Sequence, residues 1–470
     1  MNPTPKRVGI LTSGGDCPGL NAVLRGVVKS AEQLGYECIG FLKGYEGLVD
    51  PVSYVTLNGK NTSGILTQGG TILGSTNKGR FAATVGVDDR IEIHPDLIAA
   101  VRATVDQLAL SGLICVGGDG SLAIAQQFHE SGIPVVGVPK SIDNDLSATA
   151  FTFGFDSAVA CATDALDRLH TTAASHERIM VLEVMGRHAG WIALHAGIAG
   201  GGDVILIPEI PWTFEHVCHK ILDRESHGKR FTLVVVAEGA QLPDGEMVLR
   251  ERRKSDRQVR LGGVGNVVAA EIEHRLHREV RSVTLGHLQR GGPPTTFDRV
   301  LATQFGAHAM RLIEHRRFGE MICYRPPDID SVPISQAVNQ LSRVNPQSAA
   351  VLAARALGIS FGDSEANASP FLTPWAGGVV AQICRPQDPP EFLPRDPVPA
   401  SKTSQTLTLG SDPPRSTAPS NATRARVPSF EKTDKTPGQT TPQRRKSDRE
   451  RSRRETDNPA ESADHQKADA

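Results

Sequence analysis

Repeated strand–turn–helix units constrain the fold of this 470-residue chain more than any other feature. Short apolar runs end in glycine-rich or polar turns, and amphipathic stretches follow several of them. The runs are "RVGILTS" (7–13), "GLICV" (112–116), "IPVVGV" (133–138), "IMVLEV" (179–184), "DVILIP" (203–208) and "FTLVVVAEG" (231–239). Strands that are apolar at nearly every position are typical of parallel sheets covered on both faces. The pattern predicts an α/β protein with mainly parallel sheets, and the number of strands predicts two sheet-bearing lobes.

The stretches that follow the first two runs have helical periodicity. After the first, apolar residues recur at helical spacing from Leu20 to Leu34, and Gly35 follows as a stop signal. After the second, a helix is predicted from Leu122. Both helices therefore begin just beyond a glycine-rich turn.

Composition excludes several classes of partner. The formal net charge is -1 and aromatic residues make up 5% of the chain. A net charge so close to zero gives no overall electrostatic field that would attract nucleic acid or an anionic membrane, and the low aromatic content supplies few rings for base stacking. No stretch approaches the roughly 18 apolar residues of a membrane span. Seven scattered cysteines without a CxxC pair predict buried thiols in a reducing compartment, and hence a cytoplasmic protein.

The composition changes near residue 373. The segment 373–470 is rich in Pro, Ser, Thr and charged residues and has few apolar side chains. Such a segment cannot bury enough surface to offset its chain entropy. It is therefore predicted to be a disordered tail.

Two glycine-rich turns, "TSGGDCPG" and "GGDGS", each follow a strand and precede a helix. Glycines let the backbone approach a phosphate, and a helix N-terminus offers free N–H groups. Neither turn is a Walker A motif. Asp119 suits magnesium, which prefers carboxylate and phosphate oxygens. A role for Asp119 as a helix N-cap explains its presence equally well.

The stretch "PKSIDND" places a cation and two carboxylates directly after a buried strand. Asp143 can take a proton from an attacking hydroxyl, and Lys140 can neutralise charge on a transferring group. Asp145 can share a metal with Asp119. An Asx-turn on the surface is the alternative, but it does not explain so many polar groups at one buried strand end.

Basic side chains cluster in two motifs, at 183–191 and 281–292. "RSVTLGHLQRGG" supplies Arg281, His287 and Arg290, and "EVMGRHAGW" again places an arginine after a strand. Guanidinium groups beside glycines suit a sugar phosphate, since the guanidinium fork binds phosphate through two hydrogen bonds. Glu238, at the end of another strand, can accept hydrogen bonds from sugar hydroxyls.

Six motifs together resemble those of the phosphofructokinase family in order and spacing. They are "LTSGGDCPGLNAVLRGVV", "GGTILGS", "GGDGS", "PKSIDND", "HERIMVLEVMGRHAGW" and "LGHLQRGG", and the resemblance covers about residues 5 to 360. It implies two Rossmann-like lobes with the active site in the cleft between them. Residues 1–155 plus about 289–335 would form the phosphoryl-donor lobe, and 156–288 plus about 336–372 the fructose 6-phosphate lobe.

The family implies a glycolytic kinase that transfers the γ-phosphoryl group of ATP to the 1-hydroxyl of fructose 6-phosphate, with Mg²⁺ as cofactor. It implies catalytic roles for Asp143 as proton acceptor, for Arg187 at the transition state, and for Lys140 and Ser141. The implied substrate contacts are Ser141, Ile142, Asp143, Arg178, Met185, Gly186, Arg187, Glu238, Arg281, His287, Leu288, Gln289 and Arg290. The implied donor contacts are Gly15, Gly118, Asp119, Gly120, Ser121 and Lys78, with Asp119 and Asp145 on the metal.

Two of these residues also bear on assembly. Arg178 and Arg281 are family positions that reach across to the substrate of a neighbouring subunit. The resemblance therefore implies a homodimer or homotetramer with shared sites, and no nucleic-acid or membrane partner.

The identity of the donor depends on two residues that disagree. Gly120 leaves space for the α-phosphate of ATP, whereas family members that use pyrophosphate carry an aspartate there. Lys140, however, is typical of the pyrophosphate users. ATP is the main prediction, because Gly120 removes a clash with the α-phosphate, whereas Lys140 can serve either donor. Pyrophosphate is the alternative donor.

Two other classes of protein are weighed against this prediction. A non-catalytic regulatory subunit that binds sugar phosphates is disfavoured because Asp119, Asp143, Asp145 and Arg187 are all present. A kinase of the NAD or diacylglycerol type shares a "GGDG" loop but would not need "PKSIDND" and "GHLQRGG".

Overall fold

The computed structural model describes residues 6–76, 79–81, 92–248, 262–338 and 340–364, which all fall in one compact unit. Within these ranges the strands form two sheets. The predicted tail 373–470 and Lys78 lie outside the described residues.

The larger sheet has eight strands in the described part of the chain and is mainly parallel. They are β1 (Lys6–Thr12), β2 (Tyr36–Phe41), β3 (Tyr54–Leu57), β4 (Leu110–Gly117), β5 (Val135–Ser141), β6 (Phe153–Gly154), β11 (Glu320–Arg325) and β12 (Asp328–Pro333). Their order is β12-β11-β5-β4-β1-β2-β3, with β6 paired to β5. The two edge strands β3 and β12 run antiparallel to their neighbours, and the other pairings are parallel.

The smaller sheet has four described strands, and all its pairings are parallel. They are β7 (Ile179–Val184), β8 (Val204–Leu206), β9 (Thr232–Ala237) and β10 (Val280–Thr284), in the order β10-β7-β9-β8. Every residue of β7, β8 and β9 is buried. These continuous apolar strands are buried on both faces, as expected of a parallel sheet covered by helices.

Helices connect the strands. They are α1 (Leu20–Leu34), α2 (Pro95–Gln107), α3 (Asp119–Glu130), α4 (Phe155–His176), α5 (Trp191–Ala199), α6 (Phe214–Ser226), α7 (Val264–Leu276), α8 (Thr296–Glu314), α9 (Ile334–Ala337) and α10 (Ala349–Ala356). None of the helices in the described ranges is both long and apolar enough to cross a membrane.

Helices α1 and α8 approach each other closely at two glycines. A Cβ on Gly26 would lie 2.7 Å from the carbonyl oxygen of Thr303, and one on Gly306 would lie 2.5 Å from that of Val23. Glycine is therefore required for this contact. The contact matters for function because α1 follows the first glycine-rich turn, while α8 follows the stretch "LGHLQRGG".

The fold class predicted from the sequence is confirmed, with local corrections. The first helix spans Leu20–Leu34 as predicted, and Gly35 ends it in a left-handed conformation with φ of 75°. Helix α3, however, begins at Asp119 rather than at Leu122. The run at 203–208 is extended only over Val204–Leu206. Both differences arise at strand and helix ends, where apolar periodicity carries little information.

Candidate active site

One cavity of about 700 Å³ lies where the carboxyl ends of several strands meet. Its walls come from the turns after β1, β4 and β5, from a loop before α2, and from two later segments, at Met185 and at 287–290. The lining segments are 13–16, 70–71, 74–76, 118–121 and 140–143, together with Phe81, Ile124, Asp145, Met185, His287 and Arg290. The position agrees with the general location of ligand sites at the carboxyl ends of parallel strands.

The turn after β1 forms one wall and is fixed by the loop at 70–76. Gly14 has a φ of 83°, and its carbonyl oxygen accepts a hydrogen bond of 2.5 Å from Ser75 Oγ. The amide of Gly14 donates to the carbonyl oxygen of Thr76 over 3.3 Å. A Cβ on Gly15 would lie 2.9 Å from Arg290 Nη1, so glycine lets that guanidinium group lie against the turn.

The N-terminus of α3 forms the adjacent wall. Gly118 is the N-cap residue and Asp119 lies in the first helical turn. Asp119 therefore does not act as the N-cap, which was the structural alternative for this side chain. The hydroxyl of the buried Tyr45 donates to the carbonyl oxygen of Ser121 over 2.6 Å and fixes the first turn from below. The free amides and positive dipole end of this helix face the cavity, an arrangement that favours an anion.

Lys140 is buried, with an exposed fraction of 5%, and reaches from the end of β5 to the first turn. Its Nζ donates a hydrogen bond of 2.5 Å to the carbonyl oxygen of Gly15. Burial lowers the pKa of this ammonium group, and Arg290 lowers it further, while Cys17, Asp145 and Asp143 raise it. Lys140 therefore joins two walls of the cavity and brings positive charge to its floor.

The side chain of Ser141 organises the turn that follows β5. Ser141 Oγ donates to Asp145 Oδ1 over 2.6 Å and accepts from the amide of Asp143 over 3.2 Å. Asn144 adopts a positive φ of 51°, and its Oδ1 accepts from the amide of Thr152 over 2.9 Å. This compact turn directs the carboxyl groups of Asp143 and Asp145 to the cavity wall.

Asp143 is an acid of the cavity wall whose pKa is raised. Burial raises its pKa to about 7, and the charge of Asp145 adds to the increase. The positive charges of Arg290, Lys140 and Arg187 act in the opposite direction and lower the pKa of Asp143. Oδ1 of Asp143 is buried and has no hydrogen-bond partner among the described residues. An acid on a cavity wall with a raised pKa and an unpartnered oxygen has the properties of a general base.

The smaller sheet contributes to the site from the ends of β7 and β9. Met185, the first residue after β7, lines the cavity. The amide of Glu238 donates to the carbonyl oxygen of Val184 over 2.8 Å, which places this acid beside the end of β7. Burial raises the pKa of Glu238 to about 7, with a further contribution from Asp143. The two acids are therefore close enough to influence each other.

A 3₁₀ turn, Gly286–Arg290, brings basic side chains to the same cavity. His287 and Arg290 line it, and Arg290 Nη1 donates to the carbonyl oxygen of Asp16 over 3.2 Å. Gln289 is fully buried: its Oε1 accepts from the amide of Met185 over 3.4 Å, and its Nε2 donates to Gly286 over 3.2 Å. Gln289 therefore ties the turn to the end of β7.

The chain that carries these glycine-rich turns, the buried acid and the basic side chains is similar to known proteins. A family model described as Phosphofructokinase matches residues 7–313. The chain belongs to the phosphofructokinase family. An ATP-dependent 6-phosphofructokinase of Chloroflexus aurantiacus is 53% identical over 359 residues, which are 76% of this chain and 98% of that relative.

Two further relatives of the phosphofructokinase family show its breadth. A pyrophosphate–fructose 6-phosphate 1-phosphotransferase of Streptomyces coelicolor is 48% identical over 343 residues, 72% of this chain and 96% of the relative. The solved phosphofructokinase of Saccharomyces cerevisiae superposes with a TM-score of 0.61 at 29% identity. That superposition covers 70% of this chain and 45% of the yeast chain.

Most of the residues implied by the phosphofructokinase motifs meet at the cavity. Those on its wall are Gly15, Gly118, Asp119, Gly120, Ser121, Lys140, Ser141, Ile142, Asp143, Asp145, Met185, His287 and Arg290. Arg187 and Glu238 lie outside the wall but interact electrostatically with Asp143. Gly186 adjoins Met185 in sequence. Leu288 is 68% exposed and lies outside the lining set.

Arg178 and Arg281 are not on the cavity wall of this single chain. Both pair with the same acid: Arg178 Nε lies 2.7 Å from Glu279 Oε2, and Arg281 Nη2 lies 2.6 Å from Glu279 Oε1. Their predicted role requires a second subunit. The shared acid keeps the two guanidinium groups together on the same part of the surface.

The loop 70–76 contains none of the site residues that were predicted from the sequence. It lines the cavity, and its anchor is Asn21, a buried residue of α1. Asn21 Nδ2 donates to the carbonyl oxygens of Gln68 and Gly69, each over 3.2 Å, and Oδ1 accepts from the amide of Ile72 over 2.9 Å. The glycine-rich motif "GGTILGS" was the sequence feature that could have indicated this loop. Nothing in the sequence indicates that Asn21 forms hydrogen bonds with it.

The acids available to a metal ion are few. The described residues contain no group of three or more His, Cys, Asp or Glu side chains arranged for a metal. Asp119 and Asp145 both reach the cavity wall. Mg²⁺ is bound in kinases by one or two carboxylates plus phosphate oxygens and water, so this donor set fits magnesium held jointly with a phosphate donor.

Proposed function

We propose that this chain is an ATP-dependent 6-phosphofructokinase that phosphorylates the 1-hydroxyl of fructose 6-phosphate to give fructose 1,6-bisphosphate and ADP. The observation that carries the proposal is the position of Asp143. This acid lines the cavity together with two glycine-rich turns and the basic side chains of His287 and Arg290, and one of its buried oxygens has no hydrogen-bond partner among the described residues. An acceptor hydroxyl and a phosphoryl donor would meet at this point.

Asp143 acts in this proposal as the proton acceptor. Its pKa of about 7 is close to neutral pH, at which the carboxylate form can take the proton of the 1-hydroxyl as the oxygen attacks the γ-phosphorus. Ser141 holds the amide of Asp143 through Oγ and so fixes the direction of the acid. The oxygen that lacks a partner is then satisfied by the substrate hydroxyl.

Positive charge around Asp143 stabilises the transferring group. Lys140, Arg187 and Arg290 all influence this acid electrostatically. Phosphoryl transfer is catalysed mainly by positioning and by stabilising charge on the phosphoryl oxygens. Arg290 and His287 bind the 6-phosphate of the sugar in this proposal, and Glu238 accepts hydrogen bonds from its hydroxyls.

The donor side uses backbone groups. The turn at 13–16 and the N-terminus of α3 present glycines and amides to the phosphates of ATP. Asp119 and Asp145 would hold Mg²⁺, which supplies charge neutralisation at the donor phosphates. Gly120 leaves room for the α-phosphate of the nucleotide.

Pyrophosphate is the second candidate donor. Lys140 supports it, since a buried ammonium group beside Gly15 is available to a donor made only of phosphates. The 48%-identical relative that is a pyrophosphate-dependent enzyme supports it as well. The 53% identity to the ATP-dependent relative of Chloroflexus aurantiacus and the glycine at position 120 favour ATP.

The donor is tested with purified protein, fructose 6-phosphate and Mg²⁺. ATP and pyrophosphate are supplied in separate reactions and the initial rate of fructose 1,6-bisphosphate formation is measured. The expected result is turnover with ATP that EDTA abolishes and Mg²⁺ restores. Turnover with pyrophosphate alone would overturn ATP as donor, and no turnover with either would overturn the kinase activity.

We further infer a homo-oligomer with shared sites. Arg178 and Arg281 are held side by side through Glu279 away from the cavity of their own chain, which supports a role at the site of a second subunit. A cytoplasmic location remains a prediction. The six cysteines within the described residues are unpaired, as expected in a reducing compartment.

A further inference from the structure

Four side chains join the first turns of α4 and α8 into what we call the helix clasp: Asp156, Ser157, Thr295 and Asp298. The amide and the hydroxyl of Ser157 both donate to Asp298 Oδ2, over 2.8 and 2.6 Å. In the opposite direction, Thr295 Oγ1 donates to Asp156 Oδ2 over 2.5 Å. The amide of Thr295 also donates to Ser157 Oγ over 3.0 Å. Each helix therefore supplies an acid to the N-terminal turn of the other.

The helix clasp is more than an ordinary N-cap. Thr295 already caps α8 in the usual way, because its Oγ1 accepts from the amide of Asp298 over 3.4 Å. Asp298 instead turns its carboxylate to α4, whose own N-cap residue, Gly154, has no side chain to offer. Asp298 is fully buried, and its Oδ1 has no hydrogen-bond partner in the described part of the chain. A buried carboxylate is costly, and amides at a helix N-terminus compensate only part of that cost.

The two joined helices begin next to opposite sides of the cavity. Helix α4 follows directly on β6, which pairs with β5 at Lys140 and Ser141, two residues before Asp143. Helix α8 begins shortly after the 3₁₀ turn that carries His287 and Arg290. The helix clasp is therefore linked to the strand end beside the proposed base through the pairing of β6 with β5, and it begins five residues after Arg290, a proposed sugar-phosphate ligand.

The 3₁₀ turn is held at Gln289, which accepts from the amide of Met185, at Arg290, which donates to the carbonyl oxygen of Asp16, and at the segments on either side of it. Its residues His287 and Leu288 are exposed. Upstream, the amide of Leu285 donates to the carbonyl oxygen of Glu183 over 3.0 Å. Downstream, the first side-chain anchor is Thr295 in the helix clasp. Loss of that anchor would release one end of the turn while leaving the helix body packed.

We propose that the helix clasp positions the 3₁₀ turn relative to Asp143, so that Thr295 and Asp298 are positioning residues for the sugar phosphate. The proposal rests on the proposed function, since it assigns His287 and Arg290 to the phosphate of fructose 6-phosphate. A misplacement of about 1 Å in a binding group can cost up to about a hundredfold in rate, so the effect of releasing one end of the turn is measurable.

The test compares two threonines that are both N-cap residues. Thr295→Val removes the hydroxyl of the helix clasp. Thr213→Val removes the cap hydroxyl of α6, which accepts from the amide of His216 over 3.2 Å and lies outside the cavity wall. Thr295→Ser keeps the hydroxyl and serves as the conservative rescue. KM for fructose 6-phosphate, KM for ATP and kcat are measured for all three and for the wild type.

The expected result is a KM for fructose 6-phosphate raised about tenfold in Thr295→Val, with a much smaller change in KM for ATP. Thr213→Val and Thr295→Ser should both remain close to the wild type. Equal kinetics for Thr295→Val and Thr213→Val would overturn the proposal. If Thr295→Val prevents folding, Asp156→Ala removes the acceptor of the same hydrogen bond, and the same criterion applies to it.

A second readout separates this proposal from the proposed function. Hydrogen exchange of the peptide that covers 286–297 should speed up in Thr295→Val and not in Thr213→Val. If the wild type makes no fructose 1,6-bisphosphate with either donor but exchange increases as expected, the proposed function fails and the positional role of the helix clasp stands. If exchange is unchanged, the helix clasp does not position the turn, whatever the activity.

Discussion

The Nζ atom of Lys140 donates a hydrogen bond of 2.5 Å to the carbonyl oxygen of Gly15, and so connects the end of β5 to the turn after β1. The lysine is buried and lies near Asp143. The same ammonium group therefore supports the donor turn and supplies charge beside the proposed base. Its removal should affect turnover with either phosphoryl donor.

Lys140→Met keeps the length of the side chain and removes its charge and its hydrogen bond. We expect kcat to fall by about a hundredfold, as is typical when one preorganised charge-stabilising donor is lost. Initial rates with ATP and with pyrophosphate measure the effect. Lys6→Met, at an exposed ion pair with Glu314, is the control and should leave kcat unchanged. A normal kcat in Lys140→Met with both donors would remove this lysine from catalysis.

Asp143→Asn should separate catalysis from binding. The amide is nearly isosteric but cannot accept the proton of the 1-hydroxyl, so kcat should fall by about a hundredfold or more. Binding of fructose 6-phosphate, measured by calorimetry, should stay close to that of the wild type, because the buried site keeps its shape. The exposed Asp164→Asn serves as control. Near-normal turnover in Asp143→Asn would contradict its assignment as the base.

Asn21→Ala should weaken the donor side of the site. The substitution leaves the amide of Ile72 and the carbonyl oxygens of Gln68 and Gly69 without their buried partner. We expect the free energy of unfolding to fall by about 1–3 kcal/mol and KM for ATP to rise more than KM for fructose 6-phosphate. Urea denaturation and steady-state kinetics measure the two effects.

The control for Asn21→Ala is Thr104→Val, which removes one buried hydrogen bond to the carbonyl oxygen of Leu48 and touches no residue of the cavity wall. It should lower stability without a selective change in KM. An equal rise of both KM values in Asn21→Ala would show that the loop 70–76 does not serve the donor alone.

Asp298 should make stability depend on pH. Burial raises its pKa from 3.8 to about 6; the hydrogen bonds from Ser157 lower it, and the charge of Asp156 adds to the increase. Between about pH 4 and 6 the folded state therefore binds the proton more tightly than the unfolded chain. This contribution to stability is present below the unfolded pKa and is lost as the pH rises through the folded value.

Asp298→Asn does not titrate and should lack this loss. The stability of the wild type relative to Asp298→Asn should fall by about 2–3 kcal/mol between pH 4 and pH 6.5 and then level off. Urea denaturation across this range provides the measurement. Asp164→Asn is the control. Because Arg168 lowers the pKa of Asp164, the contribution of this acid to stability should change with pH in the opposite direction. A difference between wild type and Asp298→Asn that is constant with pH would refute the expectation.

The sequence predicted the strands of the site better than the remainder of the sheets. "IMVLEV" coincides with β7 over Ile179–Val184, because a strand buried on both faces is apolar throughout. The edge strands β3 and β12 were not predicted, since they are short and largely exposed and therefore lack a continuous apolar run. Strands β2 and β10 were missed because glycine or charged residues interrupt their apolar patterns, and β11 was missed because charged residues at both ends leave only a short apolar run.

By itself, the sequence determined the fold class, the family and the chemical types gathered at the strand ends. Local physics suffices there: apolar runs form buried strands, glycines form turns, Lys140 lies at the end of β5, and Asp143 lies just after it. Only the tertiary structure decided which distant residues meet, such as Lys140 with Gly15, Asn21 with the loop 70–76, and Asp298 with Ser157. Each pair joins segments whose contact depends on sheet order and helix packing, and a raised pKa such as that of Asp298 exists only once those segments exclude water.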